Sequence, residues 1–197
     1  TKKVIYGSIM EYYPKCWRSV NNAAAVEMDD GNYEIAHELL MKAVQLNENS
    51  FEIQNNLGIY YFSTGDFNKA EQSFNKAKDL GGDENYNLGL VNVALGDYGK
   101  AVSYLSGASC DFNLGLAQLL NGNNDAAEKT FKCAPQDAET LYLLAITAAH
   151  QDNKSNMLNY LGQSIKADPE VAKAAASNRE FMKYYNDVDF KALVNSK

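Results

Sequence analysis

The chain has 197 residues, of which 46% are hydrophobic and 22% are charged, an ordinary balance for a folded globular protein. Eighteen basic residues against 25 acidic ones give a formal net charge of −7, and no basic stripe is present, so we expect no nucleic-acid partner. The longest apolar stretch, residues 141–149, is about half as long as a membrane-spanning helix, so we expect no direct membrane insertion.

The pattern of residues 1–16 predicts that they form the end of a preceding helical unit. Ile5, Tyr6, Ile9 and Met10 follow helical spacing, and Pro14 stands just before the next helical pattern begins. The pattern predicts the second helix of a unit whose first helix is missing. We therefore expect the chain to be the C-terminal piece of a longer protein.

Four turns centred on glycine then recur at intervals of about 30 residues. They are residues 30–33, 64–67, 95–98 and 121–124, with the sequences DGNY, TGDF, LGDY and NGNN. Each turn is followed by an alanine and, four residues later, by a large apolar residue. These pairs are Ala36 and Leu40, Ala70 and Phe74, Ala101 and Leu105, and Ala127 and Phe131. Such periodicity predicts stacked helical hairpins rather than a compact enzyme with a single core.

Residues 51–81 show how one unit is built. Apolar residues recur at helical spacing on both sides of Gly65, which predicts two amphipathic helices joined by a tight turn. Gly65 would end the first helix in a left-handed conformation, and Asp66 would cap the second. Gly58 and Ala70 are small residues at the expected helix crossing.

This unit resembles the tetratricopeptide repeat (TPR). The matching features are the Leu57-Gly58 pair, Tyr61 three residues later, the Gly65-Asp66-Phe67 turn, and the step from Ala70 to Phe74. The resemblance extends over residues 17–171, although the first unit has Ala23-Ala24 in place of Leu-Gly and the last turn, around Asp152, has lost its glycine. It implies an all-α protein: a right-handed α-solenoid of about five TPR-like helical hairpins with C-terminal capping helices.

Residues 172–197 are expected to form that cap. Helices are predicted over residues 171–176, 179–185 and 189–193, with Asn178 as a candidate helix cap. Phe181, Tyr184, Phe190 and Leu193 would cover the apolar face that the end of a repeat array otherwise exposes to water.

Cys16, Cys110 and Cys133 lack the spacing of a zinc site, so we expect no metal. Single buried thiols are the favoured interpretation. A disulfide between Cys110 and Cys133 stays open as an alternative in an oxidising compartment.

The TPR resemblance also implies a binding site, because the first helix of each hairpin lines the inner groove in that family. The implied peptide-binding residues are Asn55, Asn56, Ile59, Tyr86, Leu90, Phe112, Leu116, Tyr142 and Ile146. Asn56, Asn87 and Asn113 recur before the Leu-Gly pairs and would bond either an extended peptide or neighbouring backbone groups. An equally weighted alternative is that Tyr86, Phe112 and Tyr142 are buried against each other as core.

His37 and His150, the only histidines, lack metal-ligand spacing, and the chain has no phosphate-binding loop, nucleophile elbow or HExxH motif. We therefore expect no enzymatic activity and no cofactor.

The sequence thus predicts a non-enzymatic scaffold whose apolar and aromatic groove binds a protein or peptide, as an apolar or aromatic segment or a helix. The alternatives are a structural spacer or self-association module with a self-filled groove and, more weakly, a glycan-binding protein. The YNLG and FNLG segments and the NREF and DFKAL segments near the end also resemble TPR regions of Gram-negative cell-envelope proteins. This second resemblance implies a larger bacterial protein, with a periplasmic or cell-envelope location.

Overall fold

The computed structural model describes residues 15–195; the helix expected around residues 5–10 and Pro14 lie outside them. Within the described residues, twelve α-helices and one 3₁₀ helix follow one another, and no strand is present. The α-helices are α1 (Trp17–Asp29), α2 (Tyr33–Leu46), α3 (Phe51–Ser63), α4 (Phe67–Asp79), α5 (Asn85–Leu95), α6 (Tyr98–Leu105), α7 (Phe112–Leu120), α8 (Asn124–Cys133), α9 (Ala138–His150), α10 (Lys154–Ala167), α11 (Glu170–Ala175) and α12 (Val188–Val194). The 3₁₀ helix, Arg179–Tyr184, lies between α11 and α12.

The chain divides after Asp97 into two compact units. Unit 1 contains α1 to α5, and unit 2 contains α6 to α12 with the 3₁₀ helix. The third of the expected hairpins falls on this division, because α5 ends one unit and α6 begins the other. The domain boundaries at residues 16 and 171 stay predictions.

Unit 1 is a layered stack of antiparallel helices. Helices α1 and α2 form one hairpin, α3 and α4 form the next, and α5 packs on α4. Helix α1 also contacts α3, so the first helices of these two consecutive hairpins lie beside each other. Val20, Leu40 and Ile53 are completely buried between these layers. No single hairpin provides such a core, which is why each needs its neighbour.

Unit 2 repeats the arrangement and closes it at the C-terminal end. The α7–α8 and α9–α10 hairpins stack through contacts of α9 with α8 and α7. The 3₁₀ helix packs on α9, and α11 and α12 pack on α10. Phe181 and Phe190 are buried in the core of these hairpins, and Leu193 packs partly buried against it. The expected capping contacts are therefore present, although residues 179–184 form a 3₁₀ helix.

The alanines and large apolar residues that recur after the turns are all buried, as the repeat predicts. They are Ala36, Leu40, Ala70, Phe74, Ala101, Leu105, Ala127 and Phe131, and each is at most 1% exposed. Their spacing of four residues places each pair on one face of its second helix, toward the core of its unit.

The turns share one backbone geometry even where the sequence changes. At Gly31 the N–H donates to the carbonyl of Met28, and the next N–H donates five residues back to Glu27. Asp152 makes the same pair of bonds in the α9–α10 turn and has a φ of +59°, close to the +77° of Gly31. The last turn has therefore lost its glycine but kept the left-handed conformation that glycine favours.

The favoured interpretation of three single buried thiols is wrong. Cys110 and Cys133 form a disulfide in unit 2, and Cys16 is an exposed free thiol. Cys110 precedes α7 and Cys133 ends α8, so the antiparallel hairpin brings their Cα atoms to 5.0 Å, a normal disulfide separation. Both bridged cysteines lie at the surface, not in the core.

Candidate peptide-binding face

A row of asparagine side chains joins the three first helices of unit 1. Asn56 in α3 donates to Oδ1 of Asn21 in α1 at 3.0 Å, and Asn55 donates to Oδ1 of Asn56 at 3.3 Å. Asn87 in α5 donates to Oδ1 of Asn55 at 3.1 Å. The same Nδ2 of Asn87 donates to Oε2 of Glu84 at 2.9 Å. We call these four asparagines the amide row.

The amide row is a contact that neither expectation for the recurring asparagines included. The side chains of Asn56 and Asn87 bond the amides of the neighbouring repeat, and the bonds of the row use only part of the hydrogen-bonding capacity of Asn55 and Asn56. An asparagine side chain has two N–H donors and one carbonyl acceptor. Asn55 and Asn56 are half-buried, so neither residue is fully enclosed by the protein. The amide row can therefore link α1, α3 and α5 to one another and still present polar groups to a ligand.

Exposed apolar side chains lie beside the amide row. Ile59 is 37% exposed one turn after Asn55 on α3, and Tyr86 is 42% exposed immediately before Asn87 on α5. Leu90, one turn after Tyr86, is half-buried. Tyr86 is thus not buried as core, contrary to that alternative. We call Asn55, Asn56, Ile59, Tyr86 and Leu90 the first-helix face of unit 1.

In unit 2, the predicted residues on α7 are only partly covered. Phe112 and Leu116 are half-buried and pack against the core of the unit. The ring of Phe112 tilts against Phe131 of α8, with 6.1 Å between the ring centroids. Phe112 is therefore held by its own hairpin, and part of the residue remains exposed.

On α9, the C-terminal segment covers Tyr142, and Ile146 belongs to the buried core of the unit. The ring of Tyr142 meets Phe181 of the 3₁₀ helix edge-on at a centroid distance of 5.8 Å, and its hydroxyl accepts a 2.7 Å hydrogen bond from Asn178. Burial raises the pKa of Tyr142, although the Asn178 bond acts in the opposite direction. Ile146 is 6% exposed. Asn178 also caps the 3₁₀ helix by accepting from the N–H of Glu180, as the sequence predicts for a cap.

The two histidines have packing and pairing contacts. His37 stacks on Tyr60 with 5.0 Å between the ring centroids, and His150 pairs with Glu180 of the 3₁₀ helix. Among residues 15–195, no three His, Cys, Asp or Glu side chains are grouped closely enough to hold a metal ion. In the same part of the chain, every helix is too short or too polar to cross a bilayer.

A second surface, which sequence reasoning missed, lies where α3 meets the second helices α2 and α4 of unit 1. It is a cleft of about 330 Å³ in which α2, α3 and α4 all take part. Met41, Val44 and Leu57 provide apolar lining, and Lys69 and Lys76 stand at its α4 side. Lys69 is already paired with Asp66 at 2.7 Å, so its charge is partly neutralised.

Comparison with known families decides the nature of the repeat. The tetratricopeptide repeat family matches residues 21–85, which run from the first asparagine of the amide row to the start of α5. Residues 21–85 carry the tetratricopeptide repeat pattern. The match lies within unit 1.

Known proteins extend this likeness along the chain. The chain is 24% identical to BBSome complex member BBS4 from Bos taurus over 178 residues, which are 89% of the chain but only 30% of that protein. YrrB, a TPR protein with an unusual peptide-binding site, superposes with a TM-score of 0.74 at 23% identity, covering 88% of this chain and 98% of YrrB. PilW, a widely conserved type IV pilus biogenesis factor, superposes with a TM-score of 0.72 at 18% identity, and the match covers 90% of this chain and 86% of PilW. These structures establish the TPR fold.

Proposed function

We propose that the protein is a non-enzymatic TPR scaffold that binds a peptide or helix of a partner protein through the first-helix face of unit 1. The observation that carries the proposal is the exposure of Ile59 and Tyr86 beside the amide row. Apolar side chains exposed next to ordered amides can bind both the side chains and the backbone of a peptide. The ligand we infer is therefore a segment with apolar or aromatic side chains.

Phe112 and Leu116 are proposed as further contacts, within unit 2. Their half-buried state leaves apolar surface for a ligand side chain. Tyr142 and Ile146 need a different condition, because Phe181 and Asn178 occupy the surface beside Tyr142 and Ile146 lies in the core of unit 2. Ligand binding there requires the 3₁₀ helix to move, so we place these two last among the proposed contacts.

The alternative function is a spacer or self-association module whose groove is filled by its own side chains. The cover over Tyr142 favours it for unit 2, since an internal segment already supplies an aromatic ring and an amide there. The two functions differ in solution behaviour. Sedimentation of the purified chain should show a concentration-dependent dimer for self-association, and a monomer that captures peptide for the scaffold.

A cell-envelope location is proposed on two grounds. The Cys110–Cys133 disulfide persists in oxidising compartments such as the periplasm. The fold is shared with the pilus biogenesis factor PilW. Thiol titration of the protein isolated from its native source under alkylating conditions tests the first ground, with one reactive thiol expected rather than three.

The binding experiment uses a displayed library of random short peptides selected on the whole chain. The selected peptide should bind Ile59→Ala and Tyr86→Ala about tenfold more weakly, a typical loss at a central contact. Ile35→Ala is the matched control, because Ile35 is 50% exposed but lies on α2, a second helix. Equal affinities of the Ile59 and Ile35 variants, both folded, would move the site away from the first-helix face.

A further inference from the structure

Glu84 is a carboxylate with no place in the peptide site implied by the sequence. It is 4% exposed and immediately precedes α5. Burying a carboxylate is costly unless hydrogen bonds compensate for the lost water. Its Oε2 accepts from Nδ2 of Asn87 at 2.9 Å, which connects the carboxylate to one end of the amide row.

A row of hydrogen-bonded amides has no fixed donor-to-acceptor direction of its own. Each amide can donate from its nitrogen or accept at its oxygen, so the same row could run from α1 to α5 or from α5 to α1. An ionised carboxylate can only accept. Because Glu84 faces Asn87, the nitrogen of Asn87 must point toward it, and this choice is then passed along the row.

The observed bonds all follow that direction. Asn87 donates to Asn55, Asn55 donates to Asn56, and Asn56 donates to Asn21. Both N–H groups of Asn87 are used, one on Glu84 and one on Asn55. The oxygens of Asn55, Asn56 and Asn21 are used as acceptors, while the remaining N–H groups of Asn55 and Asn56 are not taken by a described residue.

We propose that Glu84 is a positioning residue: by fixing the amide of Asn87 it sets the direction of the whole amide row, so that the row offers N–H donors at α3 and a carbonyl acceptor at α5. The proposal rests on the proposed function of the first-helix face. A bound segment would then place carbonyl groups against Asn55 and Asn56 and an N–H group against Asn87. Glu84 would determine this arrangement without touching the ligand.

The test replaces Glu84 with Gln, which keeps the size of the side chain but can both donate and accept. Side-chain amide signals in ¹⁵N NMR spectra of the free protein report the row without any ligand. In Glu84→Gln we expect shifted and faster-exchanging Nδ2 protons at Asn87 and also at Asn55 and Asn56. The matched control is Glu52→Gln, because Glu52 is held by Ser50 at the start of α3 and lies outside the row. Unchanged amide signals of Asn55 and Asn56 in folded Glu84→Gln would overturn the proposal.

The second measurement is the affinity for the library-selected peptide. Glu84→Gln should weaken binding about fivefold, as expected for one disturbed hydrogen bond, with a melting temperature close to that of the wild type. In an Asn87→Ala background the same change should have no further effect on affinity, because Glu84 acts through Asn87. An additive loss would overturn the proposal. If no peptide binds the wild type, the proposed function fails, while the amide signals still decide the role of Glu84.

Discussion

Gly58 of α3 faces the ring of Phe74 of α4 so closely that a β-carbon added to Gly58 would lie 2.5 Å from that ring. Gly115 of α7 has the same relationship to Phe131 of α8, at 2.6 Å. Each glycine thus lets the second helix of its hairpin bring a large ring against the first helix. This contact explains the glycine of the Leu57-Gly58 and Leu114-Gly115 pairs.

The first prediction follows from that contact. Gly58→Ala should lower the free energy of unfolding by about 1–3 kcal/mol, because the buried ring of Phe74 must shift. Gly99→Ala is the control, since the nearest atom to its added β-carbon is the side-chain oxygen of Asn121 at 3.9 Å. The control should be neutral or slightly stabilising, since alanine favours helices. Denaturant unfolding curves check both, and equal losses would argue against the contact.

The second prediction concerns Asp152, which holds a left-handed conformation without being glycine. Asp152→Gly should be more stable than Asp152→Ala by about 1 kcal/mol, because a β-carbon is disfavoured at positive φ. Both variants lose the ion pair with Lys183, so that loss cancels in the comparison. Thermal melts of the two variants provide the measurement, and an alanine variant as stable as the glycine variant would mean that the turn does not need this conformation.

The third prediction concerns the disulfide. Replacing Cys110 and Cys133 with Ser should cost about 3 kcal/mol of stability, since their bond closes a loop between residues 23 positions apart. A dithiol reductant should lower the melting temperature of the wild type and leave the double variant unchanged. The comparison should be made in a Cys16→Ser background, for the protein with the disulfide and for the one without it, because the exposed Cys16 thiol could exchange with the disulfide. A reductant effect of equal size in both would contradict the prediction.

The fourth prediction is a pH dependence at the start of α9. Asp137 caps this helix through the backbone N–H of Thr140 at 2.8 Å, and this hydrogen bond holds the pKa of the carboxyl below its usual value. A lowered folded pKa contributes stability that is present above the usual pKa of about 4 and lost as the pH falls through the folded value.

The corresponding variant is Asp137→Asn, which can still cap the helix but does not titrate. Its stability deficit relative to the wild type should therefore be largest near neutral pH and shrink in acid. Glu139→Gln, in the first turn of the same helix, is the control for removing a nearby charge. Unfolding curves at neutral and acidic pH should be compared, and a deficit that stays constant with pH would be inconsistent with the assigned bond.

The sequence predicted the parts of this fold that depend on local pattern. Gly96 and Gly122 are only 26 residues apart, which predicts a second helix shortened to about residues 98–105, and α6 spans these residues. Asp66 caps α4 through the N–H of Lys69, also as expected. These features follow from nearby residues in the chain, and repeat periodicity then supplies the order of the helices.

The contacts that define the site are made between residues far apart in the sequence, and the local pattern does not specify which residues pair. Asn56 bonds Asn21 across 35 positions, and Asn87 bonds Asn55 across 32. The sequence showed that asparagines recur, but not that they bond each other. Glu84 was missed, although it stands one helical turn before Asn87, which was the available signal. The cover over Tyr142 depends on how the C-terminal segment folds back onto α9, which repeat periodicity does not specify.

The most direct test of the account maps a selected peptide onto the chain by backbone amide chemical shifts. The largest changes are predicted on α3 and α5, around Ile59 and Tyr86, with little change on α2 and α4. Small changes on α7 around Phe112 are also consistent. Changes concentrated around Met41 and Lys76, which line the cleft formed by α2, α3 and α4, would contradict the central claim that the first-helix face of unit 1 is the binding surface.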